Sequence, residues 1–165
     1  MRTYLFNPSC PHADPVNAGL LQQGQRCGNC INVPRCWLLT CGAVAGVYSA
    51  MGGKFVLTRN LTAFQTDGNQ ACEWLAKVPL NPGFAHPVGI WRLFYAQGLG
   101  YWEVWADMSD NIPADIDTYG PNAINLTPAV GWSPPAWNCL GPNTLPIANG
   151  GLGFPNTITV QPFWP

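Results

Sequence analysis

Charge is what this 165-residue chain has least of. Asp, Glu, Lys and Arg make up 9% of it and the formal net charge is −1, where an average soluble domain is about 25% charged. With seven Lys and Arg in all, no basic stripe exists to displace counterions from a phosphate backbone, so nucleic acid is not an expected partner. Long hydrophobic runs are also missing. The longest apolar stretch, Trp37–Met51, is broken by Thr40, Cys41 and glycines, and falls short of the ~20 residues of a membrane span. Met1–Pro8 has one Arg and too short an apolar run for a recognisable signal peptide. Helical periodicity is absent as well: no stretch of about 12 residues keeps it. Gly42–Met51 is the best helix candidate, and its glycines weaken it. There is no phosphate-cradling glycine motif, since Gly150, Gly151 and Gly153 are followed by no Lys.

What the chain has is cysteine, tryptophan, glycine and proline. Eighteen Gly and 17 Pro predict many turns, while 8 Trp, 5 Tyr and 7 Phe bury too much surface for a disordered chain. Short β-branched or aromatic segments bounded by Gly, Pro or Asn read as strands: Cys36–Cys41, Lys54–Arg59, Ala71–Ala76, Ile90–Ala96, Tyr101–Ala106 and Thr157–Gln161. Residues 111–155 read as loops with strand fragments such as Ala129–Trp132. The expected fold is all-β: an antiparallel β-sandwich, jelly-roll-like and loop-rich, over residues 34–165, preceded by an irregular arm over 1–33.

The hairpin at 90–106 sets its own register. Pairing Ala96 with Tyr101 gathers Trp91, Leu93, Tyr95, Trp102, Val104 and Ala106 on one apolar face. Arg92, Phe94, Glu103 and Trp105 take the other, where Arg92 is expected over the Trp105 ring or paired with Glu103.

Seven cysteines, Cys10, Cys27, Cys30, Cys36, Cys41, Cys72 and Cys139, leave at least one thiol unpaired within the chain. Cys27-x2-Cys30 has half of a zinc site's spacing. Cys36 and Cys41 bracket an apolar strand and point to opposite faces, which favours disulfides over a metal. The expected pairing joins Cys72 to Cys139 and the N-terminal cluster to itself. Cofactors are not expected. His12 and His86 fall in no catalytic motif, so the chain reads as a non-enzyme. The carboxylates Asp107, Asp110, Asp115 and Asp117 lack the alternation of a calcium loop and read as a solvated acidic loop. Asn60 and Asn125 begin N-x-Thr sequons in expected loops, candidate glycosylation sites. Trp37, Trp74, Trp91 and Trp102 read as core; Trp132, Trp137 and Trp164 read as surface rings for stacking on sugars.

Cys27-x2-Cys30, Pro34–Cys41 (PRCWLLTC), Cys72-x-Trp74, the Trp91–Leu93 and Trp102–Val104 strand pair, Trp137-x-Cys139 and a closing TITV strand together resemble small Cys/Trp-rich proteins of planctomycete-like and prophage-like genomes. The resemblance spans about residues 27–160 and implies a β-rich, cell-surface or virion-type structural role, with no activity attached.

Two functions lead, ahead of a small zinc or Cys-dependent enzyme. One is a non-enzymatic structural subunit, extracellular or in a virion, that assembles with copies of itself. Its contacts would be the arm residues Thr3, Tyr4, Leu5 and Phe6 and the closing strand, Ile158 and Val160, by strand exchange. The other is a carbohydrate-binding module or adhesin, with glycans as partners of the loop tryptophans.

Overall fold

A computed structural model of the chain describes residues 26–28, 30–31, 34, 36–59, 72–82, 88–96, 98–108, 123–128, 131–132, 137–148 and 152–163. The expected contact residues Thr3–Phe6, and Cys10, His12, Asn60, His86 and Trp164, lie outside this set.

The described chain is almost wholly antiparallel strand. A small ribbon pairs β1 (Arg26–Cys27) with β2 (Cys30–Ile31). The remaining strands are β3 (Cys36–Cys41), β4 (Gly53–Arg59), β5 (Glu73–Pro79), β6 (Val88–Ala96), β7 (Tyr101–Asp107), β8 (Ala123–Asn125), β9 (Asn143–Pro146) and β10 (Thr157–Pro162). All eight belong to one sheet in the order β8-β7-β6-β5-β4-β3-β10-β9. The all-β, antiparallel expectation holds, but the core is not divided between two separate sheets. A meander runs from β3 to β8, and the β9–β10 hairpin returns to pair with β3.

This sheet curls strongly. With strands about 4.8 Å apart, a flat sheet would hold β3 and β7, its fourth neighbour, roughly 19 Å apart. Instead the rings of Trp37 on β3 and Trp102 on β7 meet with centroids 6.2 Å apart. The two edges also touch. The Ala148 N–H, just after β9, donates to the Leu126 carbonyl, just after β8, at 2.7 Å. Trp132 pairs through its backbone with Trp102, and its indole N–H donates to the Pro146 carbonyl at 3.1 Å. The result is a sheet curled into an incomplete barrel, with β8 and β9 at its two edges.

The hairpin register is the expected one, with Ala96 opposite Tyr101 and Leu93 opposite Val104. Trp91, Leu93, Trp102, Val104 and Ala106 are buried in the core. On β6 the alternate residues Ile90, Arg92, Phe94 and Ala96 are buried too, so this strand is covered on both faces.

Gly42–Met51 is not an α-helix. Only Gly46–Met51 coils, as a 3-10 segment, and Gly46 at φ 68° starts it. The expected fragment near Ala129–Trp132 reduces, among described residues, to an isolated bridge at Trp132. Strands β8 and β9 were not expected: at three and four residues they are too short and too rich in Asn and Pro to show alternation. Closing strand β10 is flanked by β3 and β9, with Ile158 and Val160 buried. It is therefore an internal strand, not one free to add to a neighbour's sheet.

Candidate functional site

The strand directions define two barrel ends. At one end lie the β6–β7 turn, the start of β5 and the 137–142 loop that leads into β9. At the other lie the 42–52 connection and the 147–156 connection, joined by the Ala45 N–H donating to the Gly153 carbonyl at 2.9 Å.

The first end is stapled. Cys27 and Cys30 face each other across the β1–β2 ribbon. Cys27 is bonded to Cys72, at the start of β5, and Cys30 to Cys139, in the loop before β9. The expected pairing of Cys72 with Cys139, and of the cluster with itself, is thus replaced by two bridges from the ribbon to distant parts of the barrel. Both sulfurs of the zinc-like pair are consumed in disulfides, which removes Cys27 and Cys30 as metal ligands. The ribbon lies within the expected 1–33 arm, so this part of the arm is tied covalently to the barrel. Spacing alone could not assign these bonds, because a curled sheet brings together cysteines 45 and 109 residues apart. Cys36 is also disulfide-bonded. Such bonds persist in an oxidising, extracellular-type environment.

Among the described residues Cys41 is the free thiol, buried at the end of β3. Burial raises its pKa from 9.0 to about 12, since a thiolate would lose its solvation. The folded state therefore holds a proton that the unfolded state releases, and the Cys41 contribution to stability is present below pH 9 and lost as the pH rises toward 12. We expect no alkylation of Cys41 in the native protein at pH 8, rapid alkylation in denaturant, and a flatter stability profile above pH 9 in Cys41→Ala.

Under the ribbon sits an aromatic cluster. Tyr95 packs edge-on to Trp102 with centroids 5.6 Å apart, and Trp102 stacks on Trp137 at 4.4 Å. Trp37 meets Trp137 at 5.3 Å and Trp74 at 6.1 Å. Trp132 and Trp137, expected as surface rings for sugar, are buried: Trp132 pairs with Trp102 through its backbone, and the Trp137 ring lies against Trp37 and Trp102. They present no platform to a glycan.

The indole N–H groups divide in a telling way. Those of Trp74, Trp91, Trp105 and Trp132 donate to Pro34 O, Met51 O, Glu103 Oε2 and Pro146 O, at 2.8 to 3.3 Å. Those of Trp37, Trp102 and Trp137 are buried without an acceptor. Each such donor costs about 1–3 kcal/mol unless water reaches it. Trp137→Phe should therefore be less destabilising than Trp74→Phe by about 1 kcal/mol in denaturant titration, because only the second strands a buried carbonyl.

Gly131 has φ 61°, and a Cβ there would run into the Tyr101 ring. Gly131→Ala should cost about 1–3 kcal/mol. Gly98→Ala, in a turn with open space around it, should stay within about 0.5 kcal/mol.

A second polar constellation lies on the outer face of β5–β7. Arg92, Glu73 and Asp107 are all buried. Arg92 Nη1 donates to Glu73 Oε1 at 3.0 Å, and Arg92 Nε lies 3.9 Å from Asp107 Oδ2. The ion pairs of Arg92 are thus with Glu73 and Asp107 rather than with Glu103, which accepts from Trp105 Nε1 at 2.8 Å. The strand order explains this. Arg92 has Trp105 opposite it on one side and Leu75 on the other, so a long side chain reaches diagonally to carboxylates on both neighbouring strands. Tyr101 has its pKa raised by burial and by the adjacent Glu103 carboxylate. Asp107, expected in a solvated acidic loop, is a buried strand residue; Asp110, Asp115 and Asp117 lie outside the described residues.

The sequon at Asn125 falls on β8 rather than in a loop. Asn125 Oδ1 accepts from the Thr127 N–H at 2.8 Å, and the Thr127 hydroxyl accepts from the Val104 N–H at 2.8 Å. No helix among the described residues is long and apolar enough to cross a membrane. No family model, curated protein or solved structure matches the chain.

Proposed function

We propose that the protein is a non-enzymatic structural subunit that associates end to end with copies of itself, in an extracellular filament or a virion-type assembly. The observation that carries this is the distribution of exposed apolar residues. Leu99 (62% exposed) and Leu140 (71%) project at the stapled end, and Val47 (65%) and Leu152 (43%) at the opposite end. Apolar tips at the two ends of one body favour a head-to-tail contact, which propagates into a fibre or closes into a ring. A net charge of −1 offers little repulsion against it, and the disulfides suit a protein that works outside a reducing compartment. Contact between ends takes over the role expected of β10. Exchange through Thr3–Phe6 stays open beside it.

Sedimentation velocity and electron microscopy of the oxidised protein over a wide concentration range test this. Growth with concentration is expected, and Leu140→Asp or Val47→Asp alone should abolish it, because a head-to-tail contact needs both ends. A wild-type protein that stays monomeric throughout overturns the reading.

A further inference from the structure

We propose that the β1–β2 ribbon is a thiol–disulfide relay that releases both staples together in one two-electron reduction. This is independent of how the subunits assemble.

The argument starts from register. Cys27 and Cys30 are direct Cα partners across an antiparallel pair, turned by Gly28 at φ 61°. Such partners sit about 4.5–5.5 Å apart, inside the Cα separation of roughly 4.4–6.8 Å that a disulfide spans. Each is already oxidised, but to a different distant partner. The four sulfurs therefore have a second way to pair, with Cys27 bonded to Cys30 and both Cys72 and Cys139 released.

Burial sets the order of events. Cys27, Cys30 and Cys72 are fully buried, and Cys139 is only partly so. An external thiolate attacks Cys139 Sγ, forming a mixed disulfide there and expelling the Cys30 thiolate. That thiolate faces Cys27 across the ribbon. It attacks Cys27 Sγ, forms the Cys27–Cys30 bond and expels the Cys72 thiolate, which takes up a proton. A second external thiol attacks the mixed disulfide, leaving Cys139 as a thiol and the reductant as its own disulfide. In sum, two external thiols are oxidised to one disulfide, and two protein disulfides become one disulfide and two thiols. The middle step is intramolecular between neighbouring residues, so it outruns a second external attack on a fully buried bond. The outcome is a ribbon cross-linked to itself and detached from β5 and from the 137–142 loop, which uncovers Tyr95 and the tryptophans beneath.

The test uses the oxidised full-length protein and glutathione as the external thiol, with acid quenching, alkylation of free thiols, trypsin digestion and mass spectrometry. Cys27 and Cys30 lie between Arg26 and Arg35 and share one tryptic peptide, residues 27–35. The expected intermediate carries an internal bridge in that peptide, with Cys72 and Cys139 both alkylated. In Cys27→Ala/Cys72→Ala the relay has no second bond to attack, and Cys30 should accumulate as an alkylated thiol. If wild type instead accumulates alkylated Cys30 with Cys27–Cys72 intact, or passes to four free thiols without the internal bridge, the relay is excluded. The wild-type result stands alone should the double variant fail to fold.

Discussion

Removing the Cys30–Cys139 bridge by paired alanine substitutions should lower the unfolding free energy by about 2–5 kcal/mol. The bond closes a loop of 109 residues, against 45 for Cys27–Cys72, and the chain entropy withheld from the unfolded state grows with loop length. Cys27→Ala/Cys72→Ala should therefore cost somewhat less. Against a typical total of about 5–15 kcal/mol, either loss is large. Both bridges also anchor the ribbon that covers the Tyr95–Trp102–Trp137 stack, so near-ultraviolet circular dichroism should change along with the denaturation midpoint. Two variants within about 0.5 kcal/mol of wild type would show that the ribbon holds its place without the bonds.

Arg92→Leu should be comparably damaging, by about 3–5 kcal/mol. The substitution takes away the cation that faces Glu73 at 3.0 Å and Asp107 at 3.9 Å, and leaves two carboxylates buried in the sheet without it. The cost belongs to the broken set more than to the charge itself. Replacing the three together, as Arg92→Met, Glu73→Leu and Asp107→Leu, should recover much of the loss, since a buried ion group and a packed apolar group of similar volume are often close in stability. A single substitution costing under about 1 kcal/mol, read from urea titration, would mean that water reaches the pair.

Much of the fold was legible because β-structure writes itself at short range. Alternation along Ile90–Ala96 and Tyr101–Ala106, and a Gly-rich turn between them, suffice to set one register, since a one-residue slip would part the Trp91 and Trp102 sets from their shared face. β8 and β9 left no such trace: they are short, and their pairing is imposed by neighbours. The site was less legible. Trp132 and Trp137 stand among prolines and look like surface rings, but they are buried by partners far along the chain, Trp102 for both and Trp37 for Trp137, which no local pattern records. Arg92 was expected to act within its own hairpin; its closest carboxylate, Glu73, comes from β5, because a residue in an internal strand has neighbours on both sides. The apolar tips Leu99, Leu140, Val47 and Leu152 are unremarkable one by one, and acquire a meaning only when the curl sorts them to two ends.

The cysteines divide the two sources of information most sharply. Composition and strand pattern alone determined an all-β chain with little charge, a core built on aromatic rings, and disulfides favoured over a metal with one thiol left over. Which sulfurs meet was decided by the tertiary structure. Bond formation requires Cα atoms within about 7 Å, and that proximity arises when a curled sheet carries Cys72 and Cys139 to the same end of the barrel, beneath a ribbon whose turn holds Cys27 beside Cys30.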